Sequence, residues 1–128
     1  MALFDSSTSA LVRLALDAAS MRHAAIANNI ANHASPGYAP QRVNFEQQLG
    51  QARQALAAGG RVQLSDFSQV RPTVERGVPR TDSASGSASQ LDIEMVRLAQ
   101  NTLQYQALLR ASGRFGTILA TAINEGKR

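Results

Sequence analysis

Residues 91–123 read LDIEMVRLAQNTLQYQALLRASGRFGTILATAI. Leu91, Met95, Leu98, Thr102, Tyr105, Leu109, Ser112, Gly116, Leu119 and Ile123 recur at steps of four and three without a slip. That spacing puts them on one face of a helix as a heptad seam, diluted by Thr, Ser and Gly. Leu108, Ala111, Phe115, Ile118 and Ala122 add a second stripe, while Gln100, Gln104 and Arg114 lie elsewhere on the helix. At 1.5 Å per residue the segment spans about 50 Å. A compact globule of this chain length has a diameter of roughly 35 Å. The helix therefore protrudes, and its seam faces water unless another chain covers it. The expected fold is mainly α: long N- and C-terminal helices pairing as a coiled-coil-like elongated unit, inside an assembly.

A partner for this helix runs over about residues 9–33. Leu11, Leu14, Ala18, Met21, Ala25 and Asn28 form one stripe, and Val12, Leu16, Ala19, His23, Ile26 and Ile30 lie beside it. The two make a wide apolar face suited to more than one neighbour. The candidate helix-packing seam is thus Leu11, Leu14 and Met21 on the first helix, with Leu98, Tyr105, Leu109, Leu119 and Ile123 on the last.

The first helix ends in ANNIANHASPGY, residues 27–38. Asn is a mediocre helix former because its amide competes for backbone hydrogen bonds. Asn28 and Asn32 share a face, and Asn29 lies one step around it. A frayed helix end and a packing junction are the two readings, and a Ser-Pro-Gly turn directly after the asparagines favours a junction. The residue before Pro is pushed out of the helical region. Pro36 presets the second position of a type II turn, and Gly37 accepts the positive φ of the third.

Between the terminal helices the signal is weaker. Val43 and Phe45 alternate in a short extended piece, and residues 46–58 read as a short helix closed by Gly59-Gly60. Val62 and Leu64 suggest a brief strand, and Pro72, Gly77 and Pro79 break the chain beyond it. Residues 81–89, TDSASGSAS, read as a low-complexity linker. Three regions result: 1–34, an N-terminal helix; 35–90, a turn motif, short helix and irregular middle; and 91–128, a C-terminal helix.

Composition narrows the chemistry. In 128 residues there is no Cys and no Trp, and aromatics make up 5%. The apolar content leans on Ala, so a compact core would be thin. The absence of Cys leaves no disulfide framework or thiolate metal site. No apolar run is long enough for a transmembrane helix, and Asp5, Arg13 and Asp17 interrupt the start, so no cleaved signal peptide is expected. The net charge of +4 comes from scattered arginines, without the basic face and stacking aromatics of a nucleic-acid binder. A small basic helical nucleic-acid-binding protein is the alternative from charge alone. His23 and His33 lack carboxylates at ligand spacing, and no phosphate loop or nucleophile elbow is present. Asp92 and Glu94, two residues apart, read as helix-start electrostatics rather than an acid–base pair, with Lys127 and Arg128 their complement at the other end. No catalytic residue, cofactor site or metal site is expected.

ANNIANHASPGYAPQRVNF resembles the N-terminal signature of the flagellar axial proteins: an asparagine-rich helix end, a small residue, then Thr/Ser-Pro-Gly-Tyr. LDIEMVRLAQNTLQYQALL is similar to the other end of the same group. Within it, the short length and the form of the C-terminal stretch point to the basal-body rod protein family, at its proximal member. A sister rod subunit is the alternative, but that family usually carries an insertion in the turn motif that is missing here. Ser35 stands where Thr is frequent, and Ser89-Gln90-Leu91-Asp92 replaces the commoner approach to the last helix. The resemblance implies a structural subunit, not an enzyme, of a rod that crosses the periplasm and transmits torque from motor ring to hook. It implies terminal helices paired in the inner tube wall and export through the flagellar type III channel. The implied partners are further copies, other rod subunits, the inner (MS) ring, rod-adaptor proteins and the export apparatus, with no nucleic acid and no small-molecule substrate. Asn28, Asn29, Asn32, Ser35, Pro36, Gly37 and Tyr38 would then form an assembly junction, where the inner helix leaves the tube wall.

Overall fold

The computed structural model of the chain describes residues 6–57, 70–79 and 84–126. Its elements are α1 (Ser6–Ala31), β1 (Gln41–Asn44), α2 (Glu46–Ala57), β2 (Thr73–Arg76) and α3 (Ala84–Gly126). The chain is mainly helical, with α1 packed along α3 and one small antiparallel sheet between them in sequence. α1 holds neither Gly nor Pro in its 26 residues and is rich in Ala and Leu, the best helix formers. The two terminal helices run antiparallel: Asn101 of α3 reaches the Ala19 carbonyl, whereas the earlier Glu94 lies beside the later Asn29.

α3 is longer than the sequence suggests. It starts at Ala84, so residues 84–89 belong to the helix and not to a linker. No proline follows Pro79, and adding residues to an existing helix avoids the cost of nucleation. Ser and Gly then cost only their modest propensity penalties. The remaining linker residues 81–83, and the suggested strand at Val62 and Leu64, lie outside the described residues.

β2 occupies a stretch the sequence reads as broken. Pro72 and Gly77 bound the strand rather than interrupt it. Val43 pairs with Val74 and Gln41 with Arg76, and the Gly77 N–H donates to the Pro40 carbonyl at 2.8 Å, carrying the ladder one step further. Gln48 of α2 fastens the other end: its carbonyl oxygen accepts from the Arg71 N–H at 3.1 Å, and its amide donates to the Thr73 hydroxyl at 3.3 Å.

The core is small. Ala18, Phe45 and Val70 are buried together, with Leu14, Ala15 and Leu49 packed on them. Burying Phe45 and Val70 contributes roughly 1.5–3 kcal/mol each, far more than any alanine. The largest wholly buried side chains are polar: Glu94, Asn29 and Asn101.

These polar groups set the rotation of α3. Small residues on α1, Ala18, Ala19 and Ala25, allow close approach, and α3 turns Glu94, Leu98, Asn101 and Leu108 inward. The heptad face is offset from this one by about a residue. Leu98 is half-buried, Tyr105 sits at the edge, Leu109 (47% exposed) faces outward with Met95, and Ile123 (53%) lies where α3 has passed the described start of α1. Leu11, Leu14 and Met21 are half-buried, Leu14 against the Phe45 cluster. Leu119 lies in α3, its side chain outside the described residues.

Candidate assembly junction

The asparagine-rich end of α1 is a connected structure. Asn29 is 1% exposed. Its carbonyl oxygen accepts from the Gln41 N–H at 2.7 Å and the Tyr38 hydroxyl at 2.8 Å, and its amide donates to the Gln41 carbonyl at 2.9 Å. The side chain thus pairs with both backbone groups of Gln41, as a neighbouring strand would. Asn offers a donor and an acceptor on a short stem; Asp lacks the donor and Leu lacks both. The three asparagines divide the work. Asn28 is exposed and donates to Gln41 Oε1 at 3.4 Å. Asn32 donates from backbone and side chain to the Asn28 carbonyl, satisfying an acceptor at the helix end.

The turn comes directly after. The Ser35 N–H donates to the Asn32 carbonyl, and the Tyr38 N–H donates to the Ser35 carbonyl at 3.3 Å, closing Ser35-Pro36-Gly37-Tyr38. Gly37 has φ of 75°, the third-position geometry of a type II turn. Ser35, Pro36 and Gly37 are exposed, while Tyr38 folds back, half-buried, onto Asn29. The turn and Asn29 together launch β1 from the end of α1. A further tie joins the same elements: Arg22 of α1 donates to the carboxylate of Glu46, at the first turn of α2, at 2.7 Å.

Glu94 completes the junction from the other side. The sequence assigned it to helix-start electrostatics; instead it lies ten residues into α3 and is wholly buried. Its Oε1 accepts from Arg42 at 2.7 Å, Gln90 at 2.8 Å and Arg97 at 3.0 Å. Oε2 has no hydrogen-bond partner among the described residues, and neither has Asn101 Oδ1. Burial pushes the Glu94 carboxyl up. The Arg42 hydrogen bond and charge, with the Asn29 and Gln90 amides, outweigh it and hold the group below its ordinary 4.5. Burial raises the Tyr38 phenol above its ordinary 10.0; Arg76 opposes this, Glu94 adds to it, and Arg42 opposes it again. Asp92, two residues away, is exposed.

Gln41, Arg42, Gln90, Glu94, Arg97 and Asn101 were missed by sequence reasoning. The only available signal was that Glu94 and Asn101 stand seven apart, on one face beside the apolar seam. Among the described residues no group of three or more His, Cys, Asp or Glu is placed to hold a metal ion, and no described helix is long and apolar enough to cross a membrane.

Two long antiparallel helices, a turn-locked helix end and a small two-stranded antiparallel sheet define an elongated helical subunit of the kind the axial-protein resemblance implies. The sequence matches no protein-family model. It is 35% identical over 132 residues to the flagellar basal body rod protein FlgB of Bacillus subtilis (strain 168), covering 99% of this chain and 100% of that one. It is 30% identical over 108 residues to FlgB of Escherichia coli (strain K12), across 76% of this chain and 78% of that protein, with the same figures for FlgB of Shigella flexneri. The chain belongs to the FlgB family of flagellar basal-body rod proteins, which favours it over the sister subunit FlgC as the reading of the motif.

Proposed function

We propose that this chain is a structural, non-enzymatic subunit of the flagellar proximal rod, polymerising through its terminal helices and transmitting torque from motor ring to hook. Residues 1–34 and the C-terminal helix are its axial assembly core, and β1, α2 and β2 belong to the outer middle region. Asn28, Asn29, Asn32 and the Ser35–Tyr38 turn hold these parts at a fixed angle. Its partners on this reading are further copies, other rod subunits, the MS ring and rod-adaptor proteins, and the type III apparatus that exports it without a cleaved signal. Family membership supports the rod. The observation that carries polymerisation is the apolar stripe of Met95, Leu109 and Ile123, left outside by α1 on a helix that outreaches it.

Leu109→Asp tests the reading. Leu109 is half-exposed in the single chain, so the change should cost the monomer a few tenths of a kcal/mol, as surface changes do. At a subunit interface it would bury a carboxylate without a partner, at several kcal/mol. The variant should be exported but absent from purified basal bodies, while Ala107→Asp, exposed and two residues away on the opposite side of α3, is incorporated normally. Incorporation of Leu109→Asp at the wild-type level would remove α3 from the assembly interface.

A further inference from the structure

Arg22 of α1, Arg42 of β1 and Arg97 of α3 come from three separate elements and converge on one cleft of about 260 Å³. Gln100 and Gln104 line its α3 wall. Scattered along the sequence, these arginines are gathered by the fold. Arg42 and Arg97 share one oxygen of a single buried carboxylate, Glu94. Arg22 has Glu46, whose side chain is 59% exposed. Three cations therefore face two carboxylates, one of them largely in solvent. Each guanidinium carries five N–H donors. Among the described residues, Arg97 uses one nitrogen, on Glu94, and Arg42 one each on Glu94 and the Gln41 carbonyl. The cleft thus holds excess positive charge and spare donors, in a geometry suited to a carboxylate.

The same chain carries an acid in a position to fill it. Asn101 stands beside Ala19, so α3 continues about 36 Å from Asn101 to Glu125, whereas α1 runs back only about 20 Å from Ala19 to Ser6. The last turns of α3 extend past the described start of α1, and Glu125 on that free end is exposed. It makes no ion pair among the described residues. Antiparallel pairing puts it far from its own cleft, so only another molecule's cleft is within its reach.

We propose that the cleft between α1, β1 and α3 receives the Glu125 carboxylate of a second copy of this chain. The contact rests on the rod-subunit reading and adds to it a specific polar register between copies. Opposite charges at such a contact select the correct neighbour and exclude others, because like charges brought together are strongly disfavoured.

The test is a charge exchange in cells whose only copy of the gene carries the variant. Gln104→Glu adds a repelling charge at the cleft without touching Glu94, and Glu125→Arg reverses the incoming group. Each alone should lower recovery in purified basal bodies by about ten-fold, and the two together should restore it, since the pair is again attractive. Far-UV circular dichroism and urea midpoints of the purified variants check that each retains its fold. Arg97→Gln gives an independent loss of positive charge and should also lower incorporation. Single variants that incorporate like wild type, or a double variant no better than either single, overturn the contact. Rescue by a charge change on a different rod protein instead would overturn the second copy as its source. None of these results touches the rod reading, which fails only if basal bodies form fully without the chain.

Discussion

Asn29→Ala is the most direct probe of the junction. The substitution removes an amide that is 1% exposed and makes three hydrogen bonds of 2.7–2.9 Å. Each such bond contributes about 1 kcal/mol net, and a buried group left without a partner costs more. Gln41 and Tyr38 are half-buried, so water recovers part of the loss. Ala also improves helix propensity by about half a kcal/mol. The balance is a destabilisation of about 2 kcal/mol, a large share of the stability of a small chain. With a urea m-value of about 2 kcal/mol/M the midpoint falls by about 1 M. Asn28→Ala is the internal control: its one side-chain hydrogen bond among the described residues is 3.4 Å long and exposed, and the propensity gain offsets the loss. Asn29→Asp keeps the acceptor for Tyr38 and the Gln41 N–H, loses the donor, and adds a negative charge beside Glu94. It should be at least as damaging as Ala. Urea unfolding of the three purified variants decides the matter. If Asn29→Ala and Asn28→Ala unfold at the same midpoint, Asn29 is not the strand-like partner of Gln41 that the geometry describes.

Two further perturbations test the buried carboxylate and the turn. The folded Glu94 carboxyl lies below its ordinary 4.5, so its contribution to stability is fully present above that value and is lost as pH falls through the folded one, where the unfolded chain binds the proton more readily. Wild type should therefore lose more stability than Glu94→Gln as pH falls from 5 to 3. Parallel urea-midpoint curves would show that Glu94 does not act as a charged acceptor for Arg42 and Arg97. At Gly37 a Cβ would meet nothing within 4 Å, so substitution is penalised through the positive φ alone. Gly37→Ala should cost about 1 kcal/mol and Ser35→Ala a few tenths, and equal thermal midpoints for the two would remove the left-handed backbone from the account.

The parts legible in the sequence are those where local rules act without a partner. The periodicity of residues 9–33 and 91–123 marks two helices, and their lengths force elongation. Ser35-Pro36-Gly37 dictates its turn because proline and glycine each fix one dihedral. The strand around Val43 shows in its alternation. Other features depend on contacts made across the chain. β2 has only four residues between Pro72 and Gly77, and it is a strand because β1 supplies its ladder. Residues 84–89 are helical because a strong helix comes after them. Glu94 and Asn101 resemble surface residues until α1 brings Asn29 and the Ala19 carbonyl alongside. The heptad pattern marks an apolar face of α3, but it cannot say which face α1 will occupy. Buried polar partners decide that, and they turn Met95 and Leu109 outward.

Along α3 that rotation reverses part of the usual partition between interior and surface. Single domains bury large apolar side chains and expose charge; here Glu94, Asn29 and Asn101 are inside, while Met95, Val96, Leu103 and Leu109 are outside. The two kinds of contact do different things. Hydrogen bonds are directional, and a shift of one helical turn between α1 and α3 would leave Glu94 and Asn101 facing the wrong groups, at about 1–3 kcal/mol or more for each buried atom stranded. Apolar contact between alanines would barely register the same shift, because each buries so little. Polar burial therefore sets the intrachain register that the thin core cannot. The apolar stripe is non-directional and scales with area, which suits contacts that recur between copies along a growing rod. In the proposed assembly, α3 is held in one orientation by its polar side and offers its apolar side to the next subunit.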